Sequence, residues 1–315
     1  MLYHLLLQTV KTQQSAGVSP GQPHLLHYDL DDGYEKAIND LSQAAKGRSL
    51  YVIADEVGSE YSVDYRINNL QTLCQLLLTQ VPRLHVWAAS CFNAYTPAGW
   101  QVEYLTRPLR SPPAIVREVE QDARITGHHV VLPYSARGVA DHTDGPPVTR
   151  LYHRGQGHSG SFPVYCVTCG REVASFLHSL RVGVTGRSTT TSTTLTSTSV
   201  GTTPPCLQWR DVLVLYWDNV SNQSGVVTGL QEAGIPVRVM TDDDIEDVAT
   251  ARSDVVWVAR GLRVRGLERK VVVCLENPDT RFFRFEHFER YDFTTPRLDL
   301  MSRCTSQLVT VSPSG

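Results

Sequence analysis

Residues 48–57 read RSLYVIADEV, a short apolar run rich in β-branched side chains that ends in two adjacent carboxylates, Asp55 and Glu56. A continuous apolar run of this length is the composition of a strand buried on both faces of a parallel sheet. Downstream, YRINNLQTLCQLLLTQV (65–81) has helical spacing and RLHVWAAS (83–90) again reads as a strand. QVEYLTRPLR (101–110) reads as a third strand, and SPPAIVREVEQDA opens a helix with proline in its first turn. Upstream, residues 1–46 read as helical pieces parted by the turn-rich VSPGQPH. Strand and helix alternate, which predicts a parallel α/β sheet.

A second series follows the Pro/Gly-rich passage 141–160. It predicts a helix over 169–182, strand DVLVLYW (211–217), a helix over 224–233, and strands PVRVM (236–240) and DVVWVA (254–259). A turn or short helix, GLRVRGLE, precedes strand KVVVCLE (270–276), and a helix around 296–305 leads into SQLVTVS (306–312). The boundary is expected within 120–150, giving domains 1–140 and 141–315. Inside the second lies RSTTTSTTLTSTSVGTTPP (187–205), a Ser/Thr tract with too little apolar surface to offset its ordering entropy. It is expected to be a disordered surface insertion, with a mucin-like stalk as the other reading.

The 315 residues are 41% hydrophobic and 19% charged, a globular composition. The net charge of -3 gives no general attraction to polyanions, so a nucleic-acid surface would have to be a local patch. No apolar run approaches the roughly 20 residues of a membrane span. The start, MLYHLLLQTVKTQQ, lacks the cationic and small-residue features of a signal peptide. Seven scattered cysteines, odd in number and partly inside apolar runs, fit buried thiols in a reducing compartment, cytoplasmic or nuclear.

A buried strand that delivers Asp55 and Glu56 at its carboxyl end matches the way P-loop ATPases place a magnesium-binding Asp and a water-orienting Glu. Acids at such a strand end also cap the next helix or face solvent. Three further stretches accompany them. RPLRSPPAIV (107–116) puts Arg110 before a helix, and VRGLERKVVVCLE (264–276) puts Gly266, Leu267 and Glu268 before a strand. LDLMSRCTSQLVTV (298–311) puts Arg303 just before the closing strand.

The order of these four stretches resembles that of superfamily 1 helicases, in particular the C-terminal half of the UvrD-like class. RGLERKVVVCLENP and EYLTRPLRSPPAI are similar to the helicase-like region of Schlafen proteins. The resemblance spans about residues 48–315, and is strongest in the last 65 or so. It implies tandem RecA-like domains, the first incomplete at its N-terminus. It also implies ATP and Mg2+ as cofactors, with Asp55 as magnesium ligand and Glu56 orienting the attacking water. Arg110 and Arg303 would neutralise charge on the transferring phosphoryl group. Gly266 would allow a tight turn, Leu267 completes the motif, and Glu268 would contact the nucleotide sugar or couple to the nucleic-acid groove.

The sequence also departs from that pattern. It holds no G-x-x-x-x-G-K-[ST], the loop whose amides and lysine bind phosphates. This predicts an incomplete chain, either a truncated product or a partner of a missing N-terminal segment, that neither binds ATP tightly nor hydrolyses it. WAASCFNAY (87–95) offers Asn93 where relatives present a glutamine, and Val57 and Gly58 follow the acidic pair. The alternative is a catalytically dead helicase-like binding or scaffold module in nucleic-acid surveillance or antiviral defence.

Arg260, Arg263, Arg265, Arg269 and Lys270 form the candidate contact to the backbone of single-stranded DNA or RNA. The other reading is a solvated face balanced by Glu268 and the acids of TDDDIED (241–247), themselves expected at a helix N-terminus. Phe282, Phe283, Phe285 and Phe288, interleaved with Arg281 and Arg284, could stack on bases or close an apolar cluster. Cys166 and Cys169 form a single CVTC with no second pair at zinc-ligand spacing; His153, His158 and His178 follow no known pattern. The expectation is a strand end and helix cap, with Thr168 as N-cap. His128 and His129 precede VVLPY, and no role is assigned to them.

Overall fold

A computed structural model describes residues 9, 12, 28, 30–45, 48–54, 63–89, 99–108, 110–126, 132–135, 144–182, 207–218, 220–264, 266–276 and 300–313. Contacts divide the chain into two units. The first comprises Met1–Leu109, Arg117–Ala140 and Arg281–Asp299; the second comprises Arg110–Val116, Asp141–Thr280 and Leu300–Gly315. Among the described residues, no helix is long and apolar enough to cross a membrane.

The first unit contains helix α1 (Leu30–Ala45), strand β1 (Leu50–Ala54), helix α2 (Val63–Gln80) and strand β2 (Leu84–Ala88). β1 and β2 pair in parallel, with Leu50 beside Leu84 and Ala54 beside Ala88. One face of the pair packs Leu50, Val52, Leu84 and Val86 against Ala37, Ile38, Leu73 and Leu77 of the helices. The opposite face is open, with Tyr51, Ile53 and Trp87 all more than half exposed. This differs from the expectation of a strand buried on both faces, because both packing helices lie on the same side. Residues 101–108 are irregular rather than a third strand. Val102, Tyr104 and Leu105 are exposed there, and strand propensity without a neighbouring ladder does not make a strand. The following helix, α3 (Pro113–Gln121), begins at proline as expected, and the short α4 (Ala123–Thr126) follows.

The second unit is built on a six-stranded sheet, wholly parallel. Its elements are β3 (Thr149–Tyr152), α5 (Val167–Val182), β4 (Val212–Tyr216), α6 (Gly225–Glu232), β5 (Val237–Val239), α7 (Ile245–Thr250), β6 (Val256–Arg260), β7 (Arg269–Leu275) and β8 (Cys304–Ser312). The strand order is β3-β8-β7-β4-β6-β5. Val214 stands between Val258 and Val273, so these Val/Leu runs form the sheet centre. Val212, Val214, Val258 and Val273 share one cluster with Val173, Leu177, Val226 and Leu230 of α5 and α6. Leu213, Leu215, Trp257, Val272 and Leu308 are buried as well, so the central strands are covered on both faces.

Of the helix expected around 296–305, residues 296–299 lie outside the described residues; Leu300 and Met301 are helical, and strand pairing with β7 takes over at Cys304, beside Arg269. The acidic stretch 241–247 forms a 3-10 turn (Asp242–Asp244) running into α7. Asp244 accepts hydrogen bonds from the backbone N–H and hydroxyl of Thr241, at 2.8 and 2.7 Å. This is the helix start expected of those acids.

α5 and α6 approach so closely that side chains are excluded at their contact. A Cβ at Gly170 would stand 2.4 Å from the carbonyl of Val226, and one at Gly229 would stand 2.2 Å from that of Val167. The glycines are therefore a packing requirement here.

Candidate functional site

Strand register places the second and third arginine-bearing stretches together. Val271 pairs with Val212 and Arg269 with Cys304, so residues 264, 266–269 and 303 lie where β4, β7 and β8 begin. The stretch turns at Gly266, whose φ of 76° suits glycine. Leu267, buried, donates its N–H to the Val264 carbonyl at 3.0 Å to close the turn. Arg303 lies under it, 5% exposed. Its Nη1 donates to the carbonyls of Val264, at 2.7 Å, and Leu267, at 3.5 Å.

The Arg110 stretch joins the same edge. Arg110 Nη1 donates to Glu268 Oε2 at 2.6 Å, and Ser111 Oγ donates to the carbonyl of Ser302 at 3.4 Å. The Ala114 N–H reaches the carbonyl of Asp144 at 3.0 Å. Thus Arg110, the consecutive Gly266, Leu267 and Glu268, and Arg303, from three stretches separated in sequence, meet at the amino edge of the large sheet. Their roles differ physically. Arg110 points into solvent with its side chain 74% exposed. The Arg303 guanidinium is instead spent on backbone carbonyls.

Asp55 and Glu56 lie outside the described residues, as do Val57, Gly58, Asn93, His128, His129, Arg265, the 281–288 aromatic stretch and the 187–205 tract. β1 ends at Ala54, one residue before the acidic pair.

The described members of the basic cluster do not form one patch. Arg260 closes β6 and donates to the carbonyl of Trp217 at 3.2 Å, whereas Arg269 and Lys270 open β7. Arg263 pairs with Asp242 at 3.0 Å, and Lys270 pairs with Asp211 at 3.0 Å. Arg269 donates to the carbonyls of Glu268, at 2.9 Å, and of Val248. Burial pushes its guanidinium pKa down. The pairing of Arg263 with Asp242 matches the reading in which the 241–247 acids balance these charges.

An aromatic row on the open face of β1 and β2 was missed in the sequence. The rings of Tyr51 and His85 stack at 4.7 Å, and Trp87 lies parallel to Tyr51 at 6.0 Å. His85 in LHVWA and the alternation of both runs were the available signal, but Tyr51, Ile53 and Trp87 read as core residues.

The CVTC pair also departs from its expected role. Thr168 is not the helix cap; it lies within α5, and its hydroxyl donates to the carbonyl of Gly157 at 2.6 Å. That contact holds the loop 153–160 against the start of α5. Gly155, Gly157 and Gly160 have φ of 94°, 92° and 80°, so the loop coils on itself and brings two histidines to the cysteines. One ligand atom from each of His153, His158, Cys166 and Cys169 falls within 4.8 Å of the other three. His153 Nδ1 lies 3.3 Å from Cys169 Sγ. His158 Nδ1 lies 3.4 Å from Cys169 Sγ and 3.6 Å from Cys166 Sγ. His178 is elsewhere, donating to the carbonyl of Ala233 at 3.0 Å.

Both sulfurs are buried thiols. Burial acts to raise the Cys166 pKa. The N–H groups of Ser159 and Cys169, with the side chains of Cys169 and His158, outweigh it and lower the thiol to about 6. Burial, followed by the charge of Cys166, raises Cys169. A thiolate is the metal-binding form of cysteine. The sequence signal was H-x4-H followed by C-x2-C, with histidines ahead of cysteines rather than behind them.

No protein-family model matches the chain, and no curated protein matches it.

Proposed function

We propose that this chain is a superfamily 1 helicase-like module that binds single-stranded nucleic acid and does not act as a motor by itself. In this reading, Arg110–Val116, Asp141–Thr280 and Leu300–Gly315 form the second of two RecA-like domains. The observation behind it is the gathering of Arg110, Glu268 and Arg303 at the amino edge of a parallel sheet. These residues come from three separate stretches in the helicase order.

The binding reading is preferred to the motor because of Arg303. A guanidinium that is 5% exposed and bonded to two carbonyls does not fit a γ-phosphate contact. Arg110 is free to swing from Glu268, since both side chains of that pair meet solvent.

Nucleic acid has an aromatic face and separate cationic contacts available in this reading. The Tyr51, His85 and Trp87 rings present stacking faces, which accept any base. Arg263 and Lys270 could exchange Asp242 and Asp211 for backbone phosphates, with release of counterions. The partner is single-stranded DNA or RNA.

Fluorescence anisotropy with labelled DNA and RNA oligomers over a salt series tests this. Binding should weaken steeply with salt and fall in Trp87→Ala. Absent or salt-insensitive binding removes the reading. A fluorescent ATP analogue that binds tightly, with loss in Asp55→Asn, would restore the motor.

A further inference from the structure

The geometry points to a structural zinc site formed by His153, His158, Cys166 and Cys169, which pins the β3–α5 connection to the first turn of α5. Two thiolates and two imidazoles are a closed tetrahedral donor set of the kind that structural zinc uses.

The distances are those of ligands around one ion. Zn–S of about 2.3 Å and Zn–N of about 2.0–2.1 Å at a tetrahedral angle separate N and S donors by about 3.6 Å. Three of the four nitrogen–sulfur distances between these residues are 3.3, 3.4 and 3.6 Å, and all four donor atoms lie within 4.8 Å of one another. Each histidine turns Nδ1 towards sulfur and gives its other nitrogen an acceptor. His153 Nε2 donates to the carbonyl of Gly160 at 3.0 Å, and His158 Nε2 faces Glu172 Oε1 at 3.3 Å. A metal-bound histidine is oriented in this way, with a carbonyl or carboxylate fixing its tautomer and raising its basicity. Backbone N–H groups of Ser159 and Cys169 approach Cys166 Sγ, each at 3.5 Å, and so support charge on that sulfur.

The fold gives the site a purpose. Cys169 directly precedes Gly170, where α5 touches α6. Between the histidines and cysteines, loop 154–165 holds a 3-10 turn, Pro163–Tyr165, and otherwise has no regular backbone ladder. A zinc ion would fix this loop by four bonds and set the axis of α5 over the sheet. It is independent of the helicase-like reading, since none of the four residues belongs to the amino-edge cluster.

The full chain, purified under reducing conditions with zinc present and then desalted, should retain about one zinc per chain by elemental analysis. Cobalt exchange should give intense tetrahedral absorption and thiolate charge-transfer bands. Cys166→Ser and Cys169→Ser should each abolish both signals, while His85→Gln on the exposed aromatic row leaves them unchanged. Glu172→Gln should keep the stoichiometry at saturation and weaken zinc by about 10–100-fold in chelator competition. If the serine variants do not fold, the cobalt spectrum of the unaltered chain decides. Absence of thiolate bands from that spectrum overturns the site, as does a Cys166–Cys169 disulfide formed in place of metal binding.

Discussion

Arg110 and Glu268, 158 positions apart in sequence, meet at 2.6 Å at the amino edge of the large sheet. The pair is open to water, with Arg110 74% and Glu268 33% exposed at the side chain. Exposed ion pairs contribute about 0–1 kcal/mol. Arg110→Ala and Glu268→Gln should therefore each shift the urea midpoint by an amount corresponding to less than about 1 kcal/mol. A double-mutant cycle should give a coupling that shrinks in high salt. A coupling of several kcal/mol, insensitive to salt, would mean that the pair is a structural strut.

Arg303 sits at the same edge with the opposite character. Its buried guanidinium is bonded to the carbonyls of Val264 and Leu267. Arg303→Ala removes the guanidinium donor from both carbonyls, leaves Val264 with the Leu267 N–H, and empties the buried volume of the side chain. The cost should be about 2–4 kcal/mol. Arg303→Lys should recover only part of it, because one ammonium cannot reproduce the planar donor geometry. Denaturant unfolding checks both variants. A loss below about 0.5 kcal/mol, within the range of ordinary surface changes, would show that Arg303 does not brace the edge.

The large sheet was legible because its central strands are unbroken Val/Leu runs, DVLVLYW and KVVVCLE, whose double burial is written in their composition. The open face of β1 and β2 was not legible. LYVIA is apolar at every position and LHVWA at all but His85, and only tertiary packing decides that Tyr51 and Trp87 face outward. The arginine-bearing stretches gave their own positions, yet not their partners. Nothing local distinguishes a solvent-facing Arg110 from a buried Arg303. The histidine–cysteine cluster was hidden for a related reason. Its ligands come from a coiled loop whose path is set by three positive-φ glycines and by Thr168.

Gly229 tests the helix contact. Alanine ordinarily stabilises a helix interior relative to glycine by about 1 kcal/mol. Here the added Cβ would stand 2.2 Å from the Val167 carbonyl and 2.8 Å from the Gly170 Cα. Backbone cannot yield as a side-chain tip does, so the sign reverses. Gly229→Ala should destabilise by about 1–3 kcal/mol or more. Thermal melting at several scan rates would establish the sign; a rise in the midpoint would show that α5 and α6 can separate without loss.

Asp247 gives the fold a defined pH response. Partial burial acts to raise its carboxyl. Bonds from the Ser253 hydroxyl, at 2.5 Å, and the Ser253 N–H, at 2.9 Å, overcome this, helped by Arg238 and the Arg252 N–H. The folded pKa is therefore held below the usual carboxylate range. A carboxyl depressed in the folded state contributes stability above its unfolded pKa, about 3.9, and loses that contribution as pH falls through the folded value. Asp247→Asn should thus be less stable than the natural chain at neutral pH by about 1–2 kcal/mol. The difference should begin to close below about pH 4, where the unfolded carboxyl protonates, and should vanish only below the depressed folded value, where the native carboxyl takes up its proton. Urea midpoints measured across that range decide it. A gap that stays constant into strong acid would assign the loss to hydrogen-bond geometry rather than to the charge of Asp247.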